Sequence, residues 1–361
     1  NQLTFSTLPI QHPRWTDYTY SPQGKLPLSK KEFALNEEID LSSQLTAGGN
    51  TTTYLWKTIG GVTLIKDVDY TESNGKFTFI KQPGDYFFCE MSNATFPELT
   101  LATENVFIIP DQPSITMTTA ETVGSDFYFV LRTVARNVPI KIDWGNGILT
   151  NHTVNSDPFV SGTLAGNTIK IYGLGIEFLS STNDKLTSLD VSNNTELNTV
   201  FCSDNQLTEL NVSNTPALTR LDCSNNQLTS LDMSNSPALT SFYCYNNQLT
   251  FSTLPNKRSG MTYIYVPQSE VKLPKKQYAL TEAVDLSSEL NVNGNTTNYT
   301  WKTKGGATLV AGTDYNVVGG VTTFLRVQTD SVYCQMTNAT FPYLGLNTIN
   351  IKVSAYPLSV E

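Results

Sequence analysis

Leu197-Asn198-Thr199-Val200-Phe201-Cys202-Ser203-Asp204-Asn205-Gln206-Leu207 is followed 21 residues later by Leu218-Thr219-Arg220-Leu221-Asp222-Cys223-Ser224-Asn225-Asn226-Gln227-Leu228, and again by Leu239-Thr240-Ser241-Phe242-Tyr243-Cys244-Tyr245-Asn246-Asn247-Gln248-Leu249. A degenerate copy begins at Ile176 and carries Leu179, Ser181, Asp184 and Leu186. The shared pattern is L-x-x-L-x-C-x-x-N-x-L. A fixed period of this length means stacked coils, because one coil cannot bury its own leucines and three or more must share a core.

This pattern is that of a leucine-rich repeat. Neighbouring coils would place their strands about 4.8 Å apart. Asn205, Asn226 and Asn247 are then expected to form a ladder, their amides bonding the backbone where each coil turns. Asp184 stands at that place in the first coil, as terminal repeats often vary. Cys202, Cys223 and Cys244 occupy an inward position of the strand, as a column of small, polarizable core residues. A redox or metal site is the alternative for them. Mutual disulfides are disfavoured, because stacked parallel thiols point the same way rather than at each other.

A second period of about 245 residues encloses the first. Asn50-Thr51-Thr52-Thr53-Tyr54-Leu55-Trp56-Lys57-Thr58 recurs as Asn295-Thr296-Thr297-Asn298-Tyr299-Thr300-Trp301-Lys302-Thr303, and Cys89-Glu90-Met91-Ser92-Asn93-Ala94-Thr95-Phe96-Pro97 as Cys334-Gln335-Met336-Thr337-Asn338-Ala339-Thr340-Phe341-Pro342. Each copy holds short alternating strands suited to a sandwich of about seven strands. Trp56 with Cys89, and Trp301 with Cys334, resemble the strand-C Trp and strand-F Cys of immunoglobulin domains. The strand-B Cys is absent, with Leu41 and Leu286 at its place, and Phe87 and Val332 stand where a tyrosine is usual. The resemblance therefore implies a disulfide-free sandwich.

The opening Asn1-Gln2-Leu3-Thr4-Phe5-Ser6-Thr7-Leu8-Pro9 matches residues 247–255, and 18–23 matches 263–268. Residues 1–24 read as the end of an upstream repeat unit. In 111–175, Phe127, Phe129 and Leu131 alternate as a strand does, as do Ile140 and Ile142. Asp143-Trp144-Gly145-Asn146-Gly147 signals a tight turn, and 162–173 reads as one strand leading into the first coil. This segment suits a cap that covers the solenoid's apolar end. The expected fold class is mainly β: a short leucine-rich-repeat solenoid with a β-rich N-terminal cap, flanked by two immunoglobulin-like β-sandwiches. The expected boundaries are 1–24, 25–110 (sandwich), 111–175 (cap), 176–267 (solenoid with a closing hairpin) and 268–361 (sandwich).

The 361 residues carry a net charge of −9, which argues against a nucleic-acid partner. No apolar run approaches the roughly 20 residues that span a bilayer. The Asn1-Gln2 opening has no signal-peptide pattern, so a mature or trimmed chain is expected. Only His12 and His152 are available for a histidine-based triad, and neither accompanies a nucleophile motif. No metal-protease, phosphate-loop or dinucleotide motif occurs. Asp143 suits a turn better than a cation site. An enzyme is not expected, and no cofactor is implied. Eight Asn-x-Ser/Thr sequons, Asn50, Asn93, Asn295 and Asn338 among them, read as products of an Asn/Thr-rich composition.

The 21-residue repeats are similar to the cysteine-ladder repeats of the internalin J type of bacterial surface adhesin. The whole arrangement resembles leucine-rich surface proteins of Bacteroidetes, in which an Asp-Trp-Gly-Asx-Gly turn precedes repeats like Asn226-Gln227-Leu228-Thr229-Ser230-Leu231-Asp232. The turn at Asp143 also resembles that of the polycystic-kidney-disease type β-domain. These resemblances imply an extracellular or bacterial cell-surface protein with an adhesive or binding role.

The positions flanking the inward residues point outward along the strands. They form columns containing Phe178 and Arg220; Phe201, Asp222 and Tyr243; and Tyr245. Aromatic residues and Arg are favoured in recognition patches. Phe178, Phe201, Arg220, Asp222, Tyr243 and Tyr245 are therefore the candidate concave ligand face; packing on the cap, on a sandwich or on one another is the alternative. The expected partner is a host or bacterial surface protein, or a glycan; a structural stalk without ligand is the remaining possibility.

Overall fold

The structure, a computed structural model, describes residues 2–10, 19–83, 86–134, 138–154 and 158–356. Among these, regular structure is β throughout apart from two short 3-10 turns, Ser42–Gln44 and Ser287–Glu289. No helix is long and apolar enough to cross a membrane, which says nothing of a β-barrel.

One seven-stranded sheet organises the centre. Its strands, in chain order, are β1 (Asp126–Thr133), β2 (Phe159–Thr163), β3 (Ile176–Ser180), β4 (Thr199–Phe201), β5 (Arg220–Asp222), β6 (Ser241–Tyr243) and β7 (Thr262–Ile264), arranged β2-β1-β3-β4-β5-β6-β7. From β3 to β7 the strands are parallel and one coil apart: Leu179 faces Val200, then Leu221, Phe242 and Tyr263. These side chains are buried, and so are Cys202, Cys223 and Cys244 one step further along. Coiling is completed on the other side by Leu186–Asp190 and Glu209–Asn211, which pair in parallel in a second sheet.

The segment before the coils extends both sheets. β1 pairs antiparallel with β2 and β3, while Ile115–Thr119 pairs with Thr168–Tyr172 and with Leu186–Asp190. Phe127, Phe129, Leu131, Ile169 and Ile171 thereby join the leucines of the coils in one core. Residues 162–173 depart from the expected single strand. They close β2, turn, and begin a strand of the other sheet. Two glycines force that turn: a Cβ on Gly166 would lie 2.3 Å from the carbonyl oxygen of Gly145, so only backbone fits there. The expected closing hairpin is also corrected. The last element, β7, is a fifth parallel strand, because Tyr263 continues the inward column of Leu221 and Phe242.

At the corner after Ser181 and after each solenoid thiol the chain enters the left-handed region, at Asn183, Asp204, Asn225 and Asn246 (φ +54° to +62°), residue types that tolerate it. The next residue is the ladder position. Asn226 donates from Nδ2 to the carbonyls of Cys202 (2.9 Å), Cys223 (3.1 Å) and Ser224 (3.1 Å), and accepts at Oδ1 from the N–H of Leu207 (2.9 Å). Asn205 and Asn247 do the same in their coils. At the last coil Gln268 takes over, accepting from Leu249 N–H and donating to the carbonyls of Cys244 and Tyr265. Gln23 repeats half of this motif with Leu3 and Tyr20.

Each flanking unit is built on two three-stranded sheets with two further strand pairs, Glu32–Ala34 with Phe107–Ile109 and Thr46–Ala47 with Asn50–Thr51 in the first, Gln277–Ala279 with Lys352–Ser354 and Asn291–Val292 with Asn295–Thr296 in the second. In the first, Glu38–Asp40, Lys76–Phe79 and Tyr70–Ser73 form one sheet, with Thr53–Thr58, Phe87–Ser92 and Thr100–Ala102 as the other. The second repeats the order with Ala283–Asp285, Val321–Phe324, Tyr315–Val318 and Asn298–Thr303, Val332–Thr337, Gly345–Asn347. Trp56 lies opposite Cys89 in register, and Trp301 opposite Cys334, all fully buried. Trp56 packs edge-on against Phe77 and Phe79, at 5.4 and 5.1 Å. Trp301 likewise packs edge-on against Phe324, at 4.8 Å, and also bonds Thr322 through its indole N–H, at 3.0 Å. Leu41 and Leu286 are buried one residue past their strands, beside the 3-10 turns. The sequon residues Asn93 and Asn338 are buried too, their amides spent on the carbonyls of Asn50 and Asn295.

The solenoid and the second unit share one junction. Phe251 stacks on Phe341 at 6.3 Å, Tyr265 meets Phe341 edge-on at 5.4 Å, and the buried carboxylate of Glu289 accepts from Thr250 Oγ1 and from Ser252 N–H and Oγ. Phe5, Tyr20 and Phe96 reproduce the aromatic part at the first unit, at 6.1 and 5.4 Å. An ion pair between Glu32 and Lys141 links the first unit to the cap.

Asn226→Ala leaves the buried Leu207 N–H without its acceptor and takes one donor from each of the carbonyls of Cys202, Cys223 and Ser224, which keep bonds from Asn205, Asn247 or Asp204, so it should destabilise the protein by about 2–3 kcal/mol. Asn225→Gly keeps the left-handed corner and should cost about 1 kcal/mol or less. Urea midpoints by circular dichroism check both, and equal costs would refute the ladder as the main support.

Candidate recognition face

The outward side chains of the seven-stranded sheet line up in two rows across the strands. One runs Arg132, Phe178, Thr199, Arg220, Ser241, Thr262; the other runs Phe159, Val130, Ser180, Phe201, Asp222, Tyr243, Ile264. In-register parallel pairing puts equivalent residues of successive coils side by side, so a 21-residue period becomes a row.

Phe178, Phe201, Tyr243 and Tyr245 are half-buried on this face, and Arg220 is exposed. They interlock. Phe178 and Phe201 meet edge-to-face at 5.6 Å. The Arg220 guanidinium lies 5.0 Å from the Phe201 ring centre and 5.9 Å from that of Tyr243. Arg132, from the cap, lies 4.7 Å over Phe178. Such contacts stabilise by about 0.5–1 kcal/mol each at exposed sites and hold the rings in place. Asp222 is engaged locally: its Oδ1 accepts from the N–H and hydroxyl of Ser224, at 3.1 and 2.6 Å. Tyr245 follows β6 at the corner of its coil.

Sequence reasoning missed the cap's share of this face. Tyr128 (63 % exposed), Val130 and Arg132 alternate with the inward Phe127, Phe129 and Leu131. That alternation was visible. What the repeat pattern did not carry is that β1 pairs with β3 and so continues the same surface. Ile264 (42 % exposed) was missed because β7 departs from the repeat consensus.

The remaining candidates sit elsewhere. Asp143 is buried, and its Oδ1 accepts from the N–H groups of Gly145, Asn146 and Gly147, so it staples its own turn. His152 stands on Leu149–Val154 of the second sheet; His12 lies outside the described residues. Among the described residues no three of His, Cys, Asp or Glu are placed to hold a metal. A cavity of about 410 Å³ opens between the third coil and the closing segment, lined by Met233, Leu254 and Met261, among others. It is away from the aromatic rows, and Arg258 is spent there on the carbonyls of Met233 and Ser236.

The five described cysteines are free and buried. Burial raises the thiols of Cys202 and Cys223 well above the ordinary range and pushes Cys244 up to about 12. Neutral thiols belong to a dry core, where desolvation penalises the thiolate.

Residues 216–256 match the family model described as leucine-rich repeats (2 copies). Among solved structures the chain is similar to one titled the functional domain of InlJ from Listeria monocytogenes, including a cysteine ladder: 19% identity, 50% of this chain and 44% of that one, TM-score 0.35. A Listeria monocytogenes internalin-like protein shares 16% identity over 50% of this chain and 80% of that one, with a TM-score of 0.23. The chain thus spans less than half of the first structure's length. No curated protein matches.

The raised thiols carry a pH signature. Below about pH 9 the thiols are protonated in both folded and unfolded chains. Above it the unfolded chain ionises while the folded core keeps its protons, so stability falls as pH rises, by about 1 kcal/mol per solenoid thiol per pH unit. Urea midpoints from pH 8 to 11 should show this decline, and Cys223→Ala should reduce the slope. A thiol reagent at pH 8 should leave the native column unmodified; rapid labelling of Cys223 would contradict its burial.

Proposed function

We propose that the chain is a non-enzymatic adhesion or protein-interaction module of a bacterial cell surface, with the aromatic–arginine face of the seven-stranded sheet as its recognition surface. The observation that carries this reading is the pair of outward rows. Three aromatic residues, Phe178, Phe201 and Tyr243, and two arginines are held against one another on the sheet, at positions the solenoid core does not need. Pre-positioned aromatic and Arg side chains lose little freedom on binding, and such residues dominate protein interfaces. The leucine-rich repeats at 216–256 agree with an interaction role.

The flanking units are read as immunoglobulin-like spacers. Three features support this: the two three-stranded sheets on which each unit is built, the buried Trp–Cys pair across neighbouring strands, and the repetition of both in each unit. The proposed boundaries remain 25–110 and 268–361, with 1–24 as the end of a preceding solenoid unit. The resemblance to Bacteroidetes surface proteins supplies the cellular context. A glycan partner is the second reading. Asp222, the carboxylate most suited to sugar hydroxyls, is already engaged by Ser224, which favours a protein partner.

Replacing Phe201, Tyr243 and Tyr245 together by Ala should abolish binding of the labelled protein to epithelial or bacterial cell surfaces while leaving the urea midpoint within about 2 kcal/mol of the parent, since these side chains are only half-buried. Unchanged cell binding would remove this face from consideration, and a parent protein that binds no surface would favour a structural stalk.

A further inference from the structure

Every described ion pair in this protein uses lysine. Arg132 and Arg220 have no acidic partner and donate no hydrogen bond among the described residues. Both lie in the same row, Arg132–Phe178–Thr199–Arg220. Both are stacked on aromatic rings, at 4.7 Å for Arg132 over Phe178 and 5.0 Å for Arg220 over Phe201. Stacking uses the guanidinium face and leaves the N–H fork at its edge available, and that fork matches a carboxylate in two-point geometry. In a chain of net charge −9, two pinned and unpaired cations in one row form a local feature that opposes the overall balance.

Resting on the recognition face proposed above, we propose that its partner is an extended polypeptide segment bearing two carboxylates, one docked on Arg132 and one on Arg220. Three strand steps, about 14 Å, separate the backbones of the two arginines, and their guanidinium groups lie over the neighbouring rings of Phe178 and Phe201 between them. In an extended peptide, side chains on one face recur every second residue, and residues four apart are separated by about 13–14 Å. The backbone spacing therefore accommodates acidic residues at positions i and i+4, the widest pair the two forks can bridge. The residue at i+2 points the same way and meets Phe178 and Phe201, so an apolar side chain belongs there. In the neighbouring row Val130 and Phe201 flank the two arginines with apolar surface, which suits the apolar residue at i+2. That favours a peptide over a uronate glycan, whose carboxylates would otherwise satisfy the same forks. Screening length near physiological salt is about 8 Å, so the distant acidic surface does not cancel this local attraction.

The test uses the full chain and three probes in fluorescence anisotropy: a labelled peptide of repeated Glu-Thr-Leu-Thr-Glu, the same peptide with Gln for Glu, and polygalacturonate. The acidic peptide should bind at least tenfold more tightly than its Gln counterpart, and more weakly as NaCl is raised. R132Q and R220Q should each weaken it by about tenfold, and R220K should not restore it fully, because the fork is lost. Melting temperatures confirm that the variants fold. Acidic-peptide binding indifferent to both arginines overturns the proposal, as does equal binding of the Gln peptide. Tighter, arginine-dependent binding of polygalacturonate overturns the choice of a polypeptide. If no acidic probe binds while the Phe201, Tyr243 and Tyr245 variant still loses cell binding, the acidic partner is wrong and the recognition face survives. If neither set of substitutions changes any binding, both fall.

Discussion

A chain that coils every 21 residues must turn sharp corners inside its own dry core, and each corner strands carbonyl and amide groups that water cannot reach. An unpaired buried polar group costs about 1–3 kcal/mol, so a few open corners would offset the burial of the leucines. One asparagine per coil resolves this. Its two donors and one acceptor oxygen fit the carbonyls of its own and the preceding coil and an N–H beyond the turn. The bond to the preceding coil is the decisive one, because it makes each corner complete only when a neighbour is stacked. Coil stacking and corner satisfaction are therefore one event, which gives the solenoid its nearest-neighbour cooperativity.

That dependence explains the ends. The last coil has no following asparagine, and Gln268 reaches back to fill the same bonds from a chain already leaving the solenoid. Immediately beyond it, Tyr265 and Phe251 lean on Phe341, and Glu289 collects the donors of Thr250 and Ser252. The end of the solenoid is thus sealed by the flanking unit rather than by solvent. The aromatic contacts among Phe5, Tyr20 and Phe96 show the same sealing at the other unit, where Gln44 stands in place of Glu289 and makes a single bond to Ser6. At the cap the problem is solved differently: antiparallel strands continue both sheets, so the first coil has no exposed edge.

The coils were legible in the sequence because a local period maps onto identical neighbours. The row of Phe201, Asp222 and Tyr243 follows from spacing alone. So does the inward column of thiols, since residues two apart share a face of a strand. The cap was legible only as strands. Which sheet each strand joins is a long-range matter, decided by close approaches such as Gly145 on Gly166 and Trp144 on Gly162, where a Cβ would meet the indole at 2.2 Å. Nothing within 162–173 announces that its halves lie in different sheets. The same limit hid Arg132: its partner in stacking, Phe178, is 46 residues away and meets it only through the pairing of β1 with β3. The closing strand was misjudged for the opposite reason. Its local sequence has lost the consensus, yet Tyr263 is large and apolar enough to extend the column that Phe242 leaves open.

The division of labour between the two sides of a strand follows from these constraints. Inward positions are fixed by volume and dryness, so leucine, valine and thiol recur and burial keeps the thiols neutral. Corner positions are fixed by hydrogen-bond geometry, so asparagine recurs. Only the outward positions are released from both demands, and there the coils differ: Thr199, Arg220 and Ser241 in one row, Phe201, Asp222 and Tyr243 in the other. Variation at these outward positions leaves the fold intact, which suits the recognition role proposed for this face. The aromatic–arginine contacts then restore rigidity to those free positions without help from the core. A face assembled this way can change its residues coil by coil while the scaffold beneath it stays the same.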